Sequence, residues 1–488
     1  MRAPVTTDPR DPDSASGRDT EPVAERTSSP AESSTPPGGS ASEDVTSSAA
    51  GAASDSAEAA PTRRGFSRRG LIASAAVAGG VGAVGSLAGF GIGRATEANT
   101  PQPPRADTTG VNGEVAVPFY GEHQAGIETA PQAHGEFLAF TMKPETKNAA
   151  AVVRWLRLLT ADAAALTQGT APLADSEPEM AADPARLTVT FGFGQNLVAL
   201  AGGQAVPEWL RPLESFSIDR LDPQRSTGDL LLQICGDDPL GVAHARRMLW
   251  KDSRAFADIA WQRTGFRNSY GTKGEGQTQR NLFGQLDGTA NPGMGSEDFS
   301  RLVWGRATGR TDAVFSARGE PPTDLGEALP SWMQGGTTLV LRDIEMNLET
   351  WDEADRPARD FSVGRFVDSG APTTGTDEFD EPDFTAVDDR GLTVISAASH
   401  MARARDGLGP EVQIVRRPYN YETGAGGQSG LMFASFQANI DRQFLPIQRR
   451  LAEVDLLNVW TVPIGSTVWA IPPGAKDGEY VGQTLFGG

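Results

Sequence analysis

Cysteine is nearly absent from this chain. Cys235 stands alone among 488 residues, which excludes an intramolecular disulfide and any metal site built from several thiolates. Its setting, DLLLQICGD, reads as a buried strand, so a core thiol is expected. Histidine is almost as scarce: His123, His134, His244 and His400 are the four. Any chemistry that needs an imidazole must draw on these, and no two stand at metal-ligand spacing, which argues against mononuclear zinc or copper. Positive charge is in deficit too. The formal net charge is −20, most of it carried beyond residue 98, and a body this acidic disfavours nucleic acid and anionic membranes as partners. GFGQNL at Gly192–Leu197 falls short of G-x-G-x-x-G, so no dinucleotide is expected there.

Large apolar side chains are nearly missing from residues 1–62, which are rich in Ser, Ala, Pro, Thr, Asp and Glu. Such a segment cannot bury enough surface to offset its chain entropy, and disorder is expected. Residues 63–98 differ. A basic front is followed by an uncharged run from Gly70 to Gly93 that is mostly Ala and Gly. The run is long enough to cross a bilayer, but its hydrophobicity is weak. Arg68–Arg69, after Ser67 and before Leu71 and Ile72, have the form of a twin-arginine export signal. Export through the twin-arginine translocon is therefore expected, to the cell envelope or the exterior, with a retained anchor as the alternative. That route moves folded proteins, so a cofactor can be loaded first, and a single cysteine suits it. Residues 99–113 read as a linker.

The body is too long for one typical core, so two halves are expected, 114–300 and 301–488. The first offers strands at Glu136–Met142, Leu187–Phe193 and Asp229–Cys235, a helix over Asn148–Ala165 and another opened by Pro239. The second offers strands at Thr338–Leu348 and Leu431–Ala438, with helices around Val394–Arg405 and Asp441–Leu451. The pattern predicts an α+β fold of two ferredoxin-like modules with antiparallel sheets, of the dimeric α/β-barrel type. Residues 366–390 form a long acidic loop whose spacing lacks a calcium-loop pattern, and a solvated loop is expected.

The most informative stretch is NLFGQLDGTANPG, residues 281–293. It places the acid Asp287 between Gly284 and Gly288, which let backbone pass close to a flat ligand and leave the carboxylate uncovered. A turn in which Asp287 caps the backbone is the plainer reading. PFYGEHQAGI, GQLDGTANP, GGTTLVLRDIEMNLETWD, Ser399–His400 and IVRRPYNY follow in that order. Together they resemble the dye-decolourising peroxidase family of haem enzymes, over roughly residues 114–488.

The resemblance implies one haem b per chain, lying in the second half. It implies His400 as the iron ligand, Asp287 as the acid on the opposite face and Arg416 as its cationic partner. Arginine suits that place because it stays charged and presents fixed donors. Strand alternation should send Arg416 and Arg417 to opposite sides. Gly288, Thr289 and Ala290 run along the haem edge by resemblance. Leu431 and Phe433 share one strand face and resemble the apolar residues beside the open iron face. Arg405 stands among the basic residues after His400 that would meet the haem propionates. A ligand histidine needs an acceptor on its second nitrogen; Asn458 and Asp455 both stand near the expected place, and the choice is open. His123 is expected to be structural.

The function implied is reduction of hydrogen peroxide with oxidation of dyes, phenols or other small one-electron donors. Bulky donors call for a surface relay, with Trp351, Trp460 and Tyr419 as candidates. Alternatives are a deferrochelatase that handles haem iron and a haem carrier without enzymatic activity. Oligomeric state is left open, a homo-oligomer included.

Overall fold

The computed structural model describes residues 112–274, 277–306 and 325–487. The 1–62 region, the 63–98 export segment and all but the last two residues of the 99–113 linker lie outside them.

Among the described residues nine strands share one antiparallel sheet: β1 (His134–Met142), β2 (Thr188–Phe193), β3 (Leu230–Gly236), β4 (Ala257–Phe266), β5 (Thr337–Met346), β6 (Val415–Arg416), β7 (Tyr419–Glu422), β8 (Ser429–Gln437) and β9 (Thr461–Ile471). The order is β5-β9-β2-β3-β1-β4-β7-β8-β6, and a further pairing of β5 with β8 closes it into a barrel. Closure leaves few strand edges exposed. Within it, β2-β3-β1-β4 and β7-β8-β5-β9 have the same arrangement, with crossover helices after the first and third strand of each. These are two ferredoxin-like modules, as expected. They meet at two seams, Phe193↔Ala470 and Phe266↔Asn420.

Alternation along the strands sorts the side chains. Phe137, Leu231, Leu339, Met432, Ala434 and Trp469 fill the barrel interior, with Cys235 among them as a buried thiol. Phe140, Phe191 and Leu232 face outward and are covered by the two helices of the first module, and Val340 of β5 faces outward in the second. The helix Ala149–Thr167 starts at Asn148, whose side chain accepts from the Ala151 amide. The helix Pro239–Ser253 starts at Asp238, which caps Gly241 at 2.9 Å, with Pro239 where its missing N–H costs nothing.

Several elements depart from the expectation. The helix expected over Val394–Arg405 spans only His400–Arg405, because Ser399 adopts extended backbone and caps Ala402. The strand from Thr338 stops at Met346, since Asn347 caps the helix Leu348–Glu353. β9, the longest strand, contains Pro463 and Gly465, and the register shifts between Asp343 and Ile344 opposite them; a bulge tolerates the proline that a regular ladder would exclude. The expected division at 300/301 lies in the connection between β4 and β5, inside the helix Glu297–Trp304.

Candidate active site

The GQLDGTANP segment is a turn-rich loop after β4. Gly284 has φ +79° and Gly288 φ +130°, conformations that residues with a Cβ rarely adopt. Between them the Asp287 amide donates to the Gln279 carbonyl at 2.9 Å, which fixes the acid in place. Its carboxylate Oδ1 accepts from Arg416 Nη1 at 3.0 Å. Asp287 is buried, and the Arg416 side chain keeps 23% exposure. Asn291 joins the two segments directly. Its Nδ2 donates to the Arg416 carbonyl at 2.7 Å and its Oδ1 accepts from the Arg416 amide at 3.0 Å. A reciprocal pair of this kind sets the arginine backbone against the acid-bearing loop.

Alternation on β6 separates the two arginines. Arg417 turns into the barrel, donating to Thr129 O at 2.5 Å and to Gln132. Arg416 faces out, on the side of the sheet that also carries His400. The charges of Arg416 and Asp287 both act on the His400 imidazole. His400 opens its short helix, and Nδ1 meets Asp455 Oδ2 at 2.6 Å. Asp455 is itself pinned, its Oδ1 accepting from the Leu457 amide at 3.0 Å, and Leu456 N donates to Ala398 O at 3.0 Å. Burial disfavours the imidazolium, but the adjoining Asp455 carboxylate outweighs it and holds His400 above the ordinary histidine value; Arg416 opposes that shift and Asp287 assists it.

The rim is built by the 347–414 segment. Thr289 Oγ1 donates to Glu378 at 2.8 Å. Arg405 Nη2 donates to both Glu381 oxygens, at 2.7 and 2.5 Å. Arg365 donates to the carbonyls of Gly370 and Glu378 at 2.6 and 2.8 Å. Burial pulls its pKa down, as does neighbouring Arg416, while Glu378 and Glu381 support its charge. Leu431 and Phe433 pack with Phe283, Trp351, Val367 and Leu457 on the outer face of β8.

The N-terminal domain of Dyp-type peroxidases matches residues 124–267, and the C-terminal domain matches residues 278–476. The chain belongs to the Dyp-type peroxidase family. A Dyp-type peroxidase from Cellulomonas bogoriensis is 44% identical and covers 78% of this chain and 100% of its own, with a TM-score of 0.69. Ferric DtpA from Streptomyces lividans is 36% identical, covering 77% and 98%, also with a TM-score of 0.69. A deferrochelatase of Escherichia coli K12 is 31% identical over 388 residues, 76% of this chain and 87% of its own.

For a Dyp-type peroxidase the remaining question is whether these side chains fit a haem. They do. Asp455 occupies Nδ1 of His400, which leaves Nε2 for iron, and the ring has a carboxylate to push charge through it. Arg405 Nε is buried without a hydrogen-bond partner, and with Arg365 it makes a cationic pair suited to propionates. The structure brings together Asp287, Arg416 and His400, with Gly288, Thr289 and Ala290 continuing the acid-bearing loop. It also decides between the two acceptors: His400 Nδ1 meets Asp455 Oδ2 at 2.6 Å, while Asn458 donates through Nδ2 to the Leu451 carbonyl at 2.8 Å.

Three points were not legible in the sequence. Asn291 and Arg365 were missed, although Asn291 lies within the quoted motif. The acidic loop is not merely solvated, since Glu378 and Glu381 reach back to Thr289 and Arg405. Two of the three relay candidates are not at the surface. Tyr419 is fully buried inside the barrel against Phe137, and Trp351 is 2% exposed. Trp351 stacks on Phe283 at 4.5 Å and meets the partly exposed Trp460 edge-on at 5.0 Å. His123 stacks on Trp304 at 3.9 Å and bonds Gly335 O at 2.7 Å, a structural role.

Proposed function

We propose that this protein is a haem-dependent peroxidase that reduces hydrogen peroxide and oxidises dyes, phenols or other one-electron donors. The observation that carries the reading is the 3.0 Å Asp287–Arg416 pair on the same side of the sheet as a histidine backed by Asp455. Bound haem would supply the redox-active iron at which peroxide is split. His400 would hold that iron through Nε2, and Arg365 and Arg405 would hold the propionates. Asp287 would take a proton from hydrogen peroxide and return it to the departing oxygen. Arg416, fixed by Asn291, presents positive charge where that oxygen gains negative charge. Leu431 and Phe433 keep the neighbouring surface apolar, which limits water beside the carboxylate.

The test is direct. The purified protein should show a Soret band that shifts with peroxide and should oxidise a dye in a peroxide-dependent way. A colourless protein that refuses added hemin would end the reading. The resemblance to deferrochelatases gives a second reading, in which the site removes iron from haem. Release of free porphyrin without fast dye oxidation would favour it. A non-enzymatic carrier would keep its function unaltered in Asp287→Asn and Arg416→Leu.

Export by the twin-arginine translocon is part of the same proposal, supported by Arg68–Arg69 and the uncharged run after it. No helix of the described residues is long and apolar enough to cross a membrane, and the candidate segment lies outside them. Replacing both arginines by lysine should retain the protein in the cytoplasm; unchanged export would refute the signal. Whether the chain forms a homo-oligomer is decided by its mass in solution.

A further inference from the structure

His400 sits on a helix of only six residues, His400–Arg405, with extended backbone at Ser399 before it and at Asp406 after it. So short a helix does not hold its own direction in water, and the ring must be fixed from outside. The last turn of the helix Leu445–Val454 and the residues just after it reach both ends of the short one. Arg450 Nε donates to the Arg403 carbonyl at 2.9 Å, and its Nη2 donates to the Ala402 carbonyl at 3.3 Å. Carbonyls at a helix C-terminus lack partners within the helix, and a cation is favoured beside them. The contact is returned, since Arg403 Nε donates to the Arg450 carbonyl at 3.0 Å. At the other end the Leu456 amide donates to the Ala398 carbonyl at 3.0 Å.

The same stretch carries the acid. The Asp455 amide donates to the Leu451 carbonyl at 3.2 Å, and Asp455 Oδ2 meets His400 Nδ1 at 2.6 Å. Asn458 closes this turn. Its Nδ2 donates to that same Leu451 carbonyl at 2.8 Å, and its amide donates to the Asp455 carbonyl at 3.1 Å. Asp455 thus has its amide, its carbonyl and both carboxylate oxygens engaged. The side chains of Arg450 and Asn458 bond backbone carbonyls, so they act on the His400–Asp455 pair through the segments that carry it. An acceptor on the second nitrogen of a ligand imidazole sets the ring's direction and the charge it passes to the metal. Such constellations tolerate displacements of only about 0.5 Å.

We infer that Arg450 and Asn458 are positioning residues for the His400–Asp455 pair, and that through it they set the strength of the bond between imidazole and haem iron. Arg450 ties down the helix that bears the imidazole, and Asn458 ties down the turn that bears the carboxylate. The inference rests on His400 being the haem ligand.

The experiment is resonance Raman spectroscopy of the haem-loaded, reduced protein, which reads the iron–histidine stretching frequency, together with the rate of haem transfer to apomyoglobin. Asp455→Asn sets the scale, because it removes the carboxylate and should lower the frequency. Arg450→Ala and Asn458→Ala should each lower it part of the way to that value and speed haem transfer roughly tenfold. On top of Asp455→Asn, neither should lower the frequency further. If Arg450→Ala does not fold, Asn458→Ala, at a half-buried position, still decides. A frequency unchanged in either folded variant, even with a lowered melting temperature, would overturn the inference and leave the peroxidase reading standing. Shifts that add to that of Asp455→Asn would do the same. A protein that takes up no hemin would overturn that reading, and the inference with it.

Discussion

The two modules share a strand arrangement but differ in what covers it. In the first module, one 19-residue helix, Ala149–Thr167, follows the opening strand and buries Trp155, Leu156 and Leu159 on the sheet. In the second, residues 347–414 occupy the equivalent connection and break into three short helices, Leu348–Glu353, Arg356–Val363 and His400–Arg405, with the acidic loop between the last two. The first cover is apolar and continuous. The second presents Arg365, Glu378, Glu381, His400 and Arg405 to one pocket. A long helix fills its sheet with a stripe of side chains, whereas short helices end often, and each end places a polar residue against the sheet. On the proposed function, one module carries stability and the other carries chemistry.

The largest break in this comparison should come from His400→Ala. The variant is expected to fold and to lose haem, seen as a missing Soret band at an unchanged melting temperature. Retained haem with full activity would remove His400 from the site. Asp287→Asn and Arg416→Leu should keep haem and lower peroxide-dependent turnover roughly 10²- to 10⁴-fold, as read by steady-state kinetics. The counterpart in the first module is Trp155→Ala, whose indole donates to Ser253 at 3.1 Å between Phe140 and Phe256. It should cost about 3–5 kcal/mol of stability in denaturant unfolding and leave turnover of the folded fraction alone. If it instead abolished activity at full stability, the division of labour would be wrong.

Smaller effects sharpen the same contrast. Trp460→Phe should slow oxidation of bulky dyes several-fold while sparing peroxide reduction, if electrons enter through Trp460 and Trp351; unchanged dye turnover would exclude that path. In the first module, burial and the nearby Asp162 push the Asp252 carboxyl up to about 8. The folded state then holds a proton that the unfolded chain releases near pH 4, so this pair's contribution falls as pH rises from about 4 to 8. Asp252→Asn should flatten that slope, with melting temperatures at pH 5 and pH 8 drawing together. A slope unchanged in the variant would assign it elsewhere.

Much of the fold was legible because the core strands are short apolar or alternating runs, buried along most of their length. Elements in β1, β2, β3, β5 and β8, and both helices of the first module, followed from periodicity and from caps such as Asn148 and Asp238. β9 was not legible, because Pro463 reads as a breaker and only the bulge opposite Asp343 accommodates it. β4 was missed because its side chains are largely polar or part-exposed, with no apolar stripe to mark it. In the candidate site, Asp287, Arg416 and His400 were singled out through motifs. Arg365 was not, since nothing local distinguishes it from other surface arginines.

The amino-acid order by itself determined the local pieces: the glycines that allow positive φ around Asp287, the alternation that parts Arg416 from Arg417, and the scarcity of histidine that leaves few possible ligands. The tertiary structure alone decided which pieces meet. It set Asp455 rather than Asn458 on His400, turned Tyr419 inward, brought Glu378 and Glu381 back to the rim, and closed β5 on β8. The physical reason is one of range. Backbone conformation and side-chain alternation are fixed within a few residues, but a hydrogen bond between residues 400 and 455, or 291 and 416, exists only once the barrel has closed and excluded water from both partners.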